Sequence, residues 1–124
     1  MSQENAKSKK VVIWGHPDVL SWAVEHFLSA HKDWDVASLS NKRGIDGLIY
    51  KIEKSQPNIV ILYQRNYAKS GYLPAQLLLN YPGLTVITIN ADNNEMEVYV
   101  KKQVCIESVS DLISVVEGEF SPVQ

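Results

Sequence analysis

Three features of this 124-residue sequence predict one α/β domain with a mostly parallel sheet and helices on both faces. Short apolar runs alternate with longer segments of helical spacing. Two of the runs, Val11 to Trp14 and Ile59 to Tyr63, are continuously apolar, the mark of strands buried on both faces, and Gly, Pro or Asn stands at most of the junctions. Strands alternating with helices imply right-handed crossovers and a layered sandwich.

Val11-Val12-Ile13-Trp14 is the first such run and ends at Gly15. Asp18 can cap or charge a helix reaching to about His31, with Leu20, Ala23, Val24 and Phe27 as its apolar stripe. Trp34 to Leu39 is a weaker strand. Ile45, Leu48, Ile49 and Ile52 then fall at i, i+3, i+4 and i+7, which is the clearest helix, and Pro57 lies just past its end. Asn58 to Tyr63 repeats the buried-strand pattern. A polar stretch from Gln64 to Gly71 leads into a helix carrying Pro74 near its start and Leu77, Leu78 and Tyr81, stopped by Pro82-Gly83. Leu84 to Ile89 is the fourth strand.

After Asn90 the pattern changes. Met96, Val98 and Val100 alternate with Glu97 and Tyr99, which predicts an antiparallel strand, and Lys101-Lys102 separates it from a second hairpin strand at 103–106. Ser108 to Asp111 is a capping-box-like start for a last helix, with Val109, Leu112, Ile113 and Val116 on one face and Gly118 at its close. The expected order is 2-1-3-4, extended by the C-terminal hairpin. Residues 1–8 and 119–124 are expected to be flexible tails around a domain at 9–118. In such sheets ligands sit beyond the C-terminal strand ends beside the switch point. Here that crevice is expected to gather Gly15, His16, Pro17, Asp18, Tyr63, Gln64, Arg65 and Asn90.

Composition narrows the function. A net charge of -2 gives no basic surface for nucleic acid, and no apolar run approaches a membrane span. The N-terminal segment has no apolar stretch for a signal peptide, and a lone Cys105 fits a reducing compartment, so a cytoplasmic address is expected. No Gly-rich phosphate loop occurs among Gly15, Gly44, Gly47, Gly71, Gly83 and Gly118.

Three segments in succession, Lys9 to Trp14 followed by a helix, Gln56 to Leu62, and Tyr81 to Ile87, resemble the receiver domain of bacterial response regulators. The likeness spans most of residues 9–116 and implies a flavodoxin-like, receiver-like three-layer sandwich. The family's chemistry needs an acidic pair after the first strand for Mg²⁺, an Asp after the third, a Ser or Thr after the fourth and a Lys after the fifth. Carried over, those positions hold Gly15 and His16, Tyr63, Asn90 and Cys105, and none matches. Mg²⁺ wants hard oxygen ligands, and a neutral, bulkier phenol does not replace an acceptor carboxylate. Asp18 is the one acid nearby and, as a helix cap, is expected to point away from the pocket. The family's helix after strand 4, part of its phosphorylation switch, is also missing. The resemblance therefore implies a degenerate pseudo-receiver: not an enzyme, without cofactor, and serving signal transduction or scaffolding through protein partners. The alternative is a small-molecule or nucleotide sensor using His16, Asp18, Tyr63, Arg65 and Asn90.

Gly15-His16-Pro17-Asp18 also resembles the metal-binding loop of zinc-dependent LmbE-type sugar deacetylases. Val19 stands where their second Asp belongs and no His follows His31, so His16 and Asp18 are read as turn and cap, with no metal. His26 and His31, five apart, do not share a helix face. Cys105 reads as a small buried hydrophobe rather than a nucleophile. Among the aromatics, Trp14 and Trp34 read as core or core edge, while Trp22 points away from the apolar stripe. Trp22, Tyr99, Lys101 and Lys102 are the candidate partner contacts, either for a protein partner or for a homodimer through the hairpin edge or a helical face.

Overall fold

Five strands form one sheet in the order β2-β1-β3-β4-β5. They are β1 (Lys9–Gly15), β2 (Trp34–Ser40), β3 (Ile59–Gln64), β4 (Thr85–Asn90) and β5 (Glu95–Val100). The helices are α1 (Val19–Ser29), α2 (Gly44–Ser55), α3 (Tyr72–Asn80) and α4 (Val109–Val116). This computed structural model describes residues 8–64, 72–90, 92, 95–101 and 107–118. Arg65, Lys102, Cys105, the expected hairpin strand at 103–106 and nearly all of both expected tails lie outside the described residues.

β1 pairs in parallel with β2 and β3, β3 pairs in parallel with β4, and β5 runs antiparallel to β4. The apolar runs at 11–14 and 59–63 become the two strands with neighbours on both sides in the parallel part of the sheet. Their alternate residues serve two separate cores. On one face Val12, Val60, Leu62, Leu84 and Val86 meet Leu48 and Ile52 of α2 and Leu77 of α3. On the other, Val11, Ile13 and Ile61 meet Val24 and Leu28 of α1. The α/β class and the order 2-1-3-4 follow the expectation, and β5 lies antiparallel beside β4 where the first strand of the hairpin is expected. Among the described residues no helix is long and apolar enough to cross a membrane.

Several local details depart from the sequence reading. α2 is preceded by a 3₁₀ turn over Asn41–Arg43, and it closes on Gln56 in the left-handed region at φ 49°, whose N–H donates to Ile52 O at 2.8 Å. Side-chain amides tolerate that conformation better than branched residues do, and Pro57 then bars further helix. The stripe assigned to α1 is rotated. Ser21 is buried and Val24 and Leu28 are half-buried, whereas Leu20 is exposed and Phe27 is 72% exposed. The stripe of α4 is likewise uncovered: Val109, Leu112, Ile113 and Val116 are exposed while Asp111, Ser114 and Val115 are half-buried.

The two cores set the stability. Leu48→Ala, at a fully buried site, is expected to cost about 2–5 kcal/mol in urea denaturation. Val19→Ala, at an exposed site, is expected to stay within roughly 0.5 kcal/mol. Equal losses at the two positions would contradict this assignment of the core.

Candidate functional site at the C-terminal strand ends

Gly15 ends β1 directly beside Tyr63 of β3. A Cβ at position 15 would fall inside contact distance of the Tyr63 carbonyl oxygen and 3.1 Å from the Tyr63 Cβ. Only glycine allows that approach of the two backbones.

Alternation along β3 puts Tyr63 on the α1 face with Ile61, where it is 2% exposed. Its hydroxyl donates to the Asp18 carboxylate, 2.9 Å from each oxygen. Asp18 is the N-cap of α1. Its Oδ1 accepts from the Ser21 N–H at 2.9 Å, and the Asp18 N–H donates to Ser21 Oγ at 2.9 Å, completing a capping box. A carboxylate at a helix N-terminus is favoured by the helix dipole as well as by the amide it accepts. Asp18 therefore caps α1 as expected but, contrary to the expectation that it points away, reaches Tyr63. A helix cap and a buried phenol are satisfied by the same side chain.

The other crevice residues do not join them. His16 is exposed. Asn90 pairs in register with Gln64 at the next position along, and alternation sends its side chain to the α2–α3 face. There it is nearly buried and its Oδ1 accepts from Asp92 N–H at 3.0 Å, tying off its own turn. The structure brings together Tyr63 and Asp18, with Gly15 making room, and separates His16 and Asn90 from the pair.

A cleft of about 220 Å³ does open next to this pair, on the β2 side of α1. Asp18, Ser21, Trp22 and Glu25 form one wall, and Ser38 and Ser40 of β2 the other. Sequence reasoning missed it, although Ser38 and Ser40 share one face of β2 by alternation. A larger cavity of about 410 Å³ lies at the opposite end of the sheet, where Pro57 and Leu84 lead into β3 and β4. It contains the Tyr81 hydroxyl, which donates to Glu53 Oε2 at 2.6 Å. That bond, with loss of hydration and the adjacent charge, raises the Tyr81 phenol above its ordinary 10.0. The protonated, bonded form therefore holds throughout the neutral range.

On the α2–α3 face Trp14 Nε1 is buried and has no acceptor among the described residues. The remaining tryptophans are arranged by stacking, Trp34 on His31 at 3.9 Å and the exposed Trp22 on His26 at 5.5 Å. Of the candidate partner contacts, Trp22 and Lys101 are exposed, while Tyr99 packs against the α2–α3 core and donates to Glu97 Oε1 at 2.7 Å. Among the described residues no group of three or more His, Cys, Asp or Glu could hold a metal ion. Comparison of the chain with protein-family models, curated proteins and solved structures found no match.

The Tyr63–Asp18 bond should be measurable as a coupling. Tyr63→Phe is expected to cost about 1–3 kcal/mol, because a hydrogen bond to a charged group is lost. Asp18→Ala should cost more, by roughly the 1 kcal/mol of a cap. In a double-mutant cycle read by urea denaturation the two losses should be non-additive; strict additivity would mean the bond contributes nothing.

Proposed function

We propose that this chain is a non-catalytic pseudo-receiver that acts by binding protein, as a signalling or scaffolding module. The observation that carries the reading is the occupied strand-end site. The Asp18 carboxylate, beside the ends of β1 and β3, is committed to the α1 cap and the Tyr63 phenol. Position 15 has no room for a side chain, so the acidic pair a receiver needs there is incompatible with the approach of β1 to β3. At the positions the resemblance assigns to the pocket, Gly15 brings no donor, His16 an imidazole, Tyr63 a phenol and Asn90 an amide, a poor match for Mg²⁺, which favours several hard, anionic oxygens. In addition, β4 turns directly into antiparallel β5, so no helix stands between them to carry a phosphorylation switch.

On this reading, incubation with acetyl phosphate and Mg²⁺ leaves the intact mass unchanged. A hydroxylamine-sensitive gain of one phosphoryl group, as an aspartyl phosphate would give, would overturn it.

The cleft between α1 and β2 favours a second reading, a small-molecule sensor. Its indole, carboxylates and hydroxyls could hold a small polar ring, in a place different from the crevice expected from the sequence. A thermal-shift screen with nucleotides and small metabolites tests it, since a ligand at a hundred times its Kd adds about 2.7 kcal/mol. A shift abolished by Trp22→Ala would support sensing through this cleft. No shift across the set would count against it.

A further inference from the structure

The two faces of the sheet are unequally covered, and the bare part has a definite shape. The register pairs Ile87 with Val98 and Ile89 with Met96, so these four side chains share a face. It is the α1 face, since Ile87 and Ile89 adjoin the core of Val11, Ile13 and Ile61. Yet Met96 is 63% and Val98 60% exposed. α1 stands to one side of this floor. Its Trp22 and Glu25 line the cleft against β2, so at about 100° per residue Leu20 and Phe27 project from the opposite flank, toward β3 and β4. An apolar floor over β4 and β5 with an apolar wall on α1 is the place of a second helix in this layer.

The same chain carries a helix face without a floor. In α4, Asp111, Ser114 and Val115 are half-buried, while Val109 is 74% and Val116 79% exposed, with Leu112 and Ile113 exposed between them. The exposed charges at its two ends, Glu107 and Glu117, are acidic. Two α4 helices facing each other would set these like charges together, whereas the β4–β5 floor is apolar, Glu95 and Glu97 lying on the opposite face by their register with Asn90 and Thr88. The exposed apolar side chains of floor, wall and helix stripe amount to on the order of 800 Å² per copy, which is the contribution of each partner to a standard stable interface.

We propose that the chain forms a two-fold homodimer in which α4 of each copy lies across the β4–β5 face of the other. A two-fold axis makes the exchange reciprocal, so each copy's bare floor and bare helix stripe are covered in one step. The proposal rests on the interaction-module reading and names a second copy as a partner and this face as the surface.

The 124-residue chain should sediment at about twice 14.0 kDa in the micromolar range. Val98→Lys and Ile113→Lys each alter an exposed side chain, so both variants should keep their circular dichroism and melting temperature relative to the dissociated protein. Each should weaken dimerisation at least tenfold. The arrangement itself is read by mixing Val98→Cys with Ile113→Cys, both in a Cys105→Ser background, under mild oxidation. A disulfide-linked heterodimer is expected. A monomer at all concentrations, dimerisation untouched by both lysine variants, or only like-with-like disulfides would each overturn the proposal. So would a purely internal crosslink in the double-cysteine chain. A monomeric protein that takes up no phosphoryl group would leave the module reading standing with a foreign partner. Phosphoryl uptake by a dimer would do the reverse.

Discussion

A buried phenol cannot be left without an acceptor, and much of the arrangement around the sheet's C-terminal end answers to that requirement. Leaving such a group unsatisfied costs on the order of 1–3 kcal/mol. Tyr63 lies on the α1 face of a central strand, and its acceptor is the residue that starts α1. The bond therefore fixes where the first helix begins relative to the third strand. Gly15 is the complementary constraint, because the chain leaving β1 must pass the Tyr63 backbone at a distance that excludes any side chain. Together they hold the ends of β1 and β3 against the start of α1, with the cleft toward β2 beside them.

The placement of α1 has a consequence at the other edge. Anchored at Asp18 and resting on Val11, Ile13 and Ile61, α1 lies toward β1 and β2 and leaves the β4–β5 floor apolar and uncovered. The opposite face has two helices, α2 and α3, and a correspondingly larger core. Met96 and Val98 of β5 and Leu20 and Phe27 of α1 are the exposed apolar side chains this arrangement leaves at that edge.

The sequence was most legible where one physical cause dominated. Continuous apolar runs such as Val11 to Trp14 and Ile59 to Tyr63 have few alternatives to a doubly buried strand, and alternation at 95–100 led to an antiparallel strand. Ile45, Leu48, Ile49 and Ile52 specified α2 by spacing alone, although Ile45 proved exposed. Reading failed where two causes compete. On α1 the residues Leu20 and Phe27 are more apolar than Ser21, yet Ser21 is the buried one, because the capping box with Asp18 determines which side of the helix meets the sheet. The stripe of α4 was legible as a stripe, but periodicity does not say whether a face is covered.

From the sequence alone came the α/β class, the order of the described strands and the residue types at the strand ends. These follow from local pattern: side-chain period, turn chemistry and residue type at a position. Only the tertiary structure decided that Tyr63 and Asp18 meet, that Asn90 turns to the other face and that the cleft opens toward β2. It also decided that Met96 and Val98 stay exposed on the α1 face of β5. Such facts depend on the rotation of one element against another, and helices related by a small rotation share the same hydrophobic pattern while presenting different residues to the sheet.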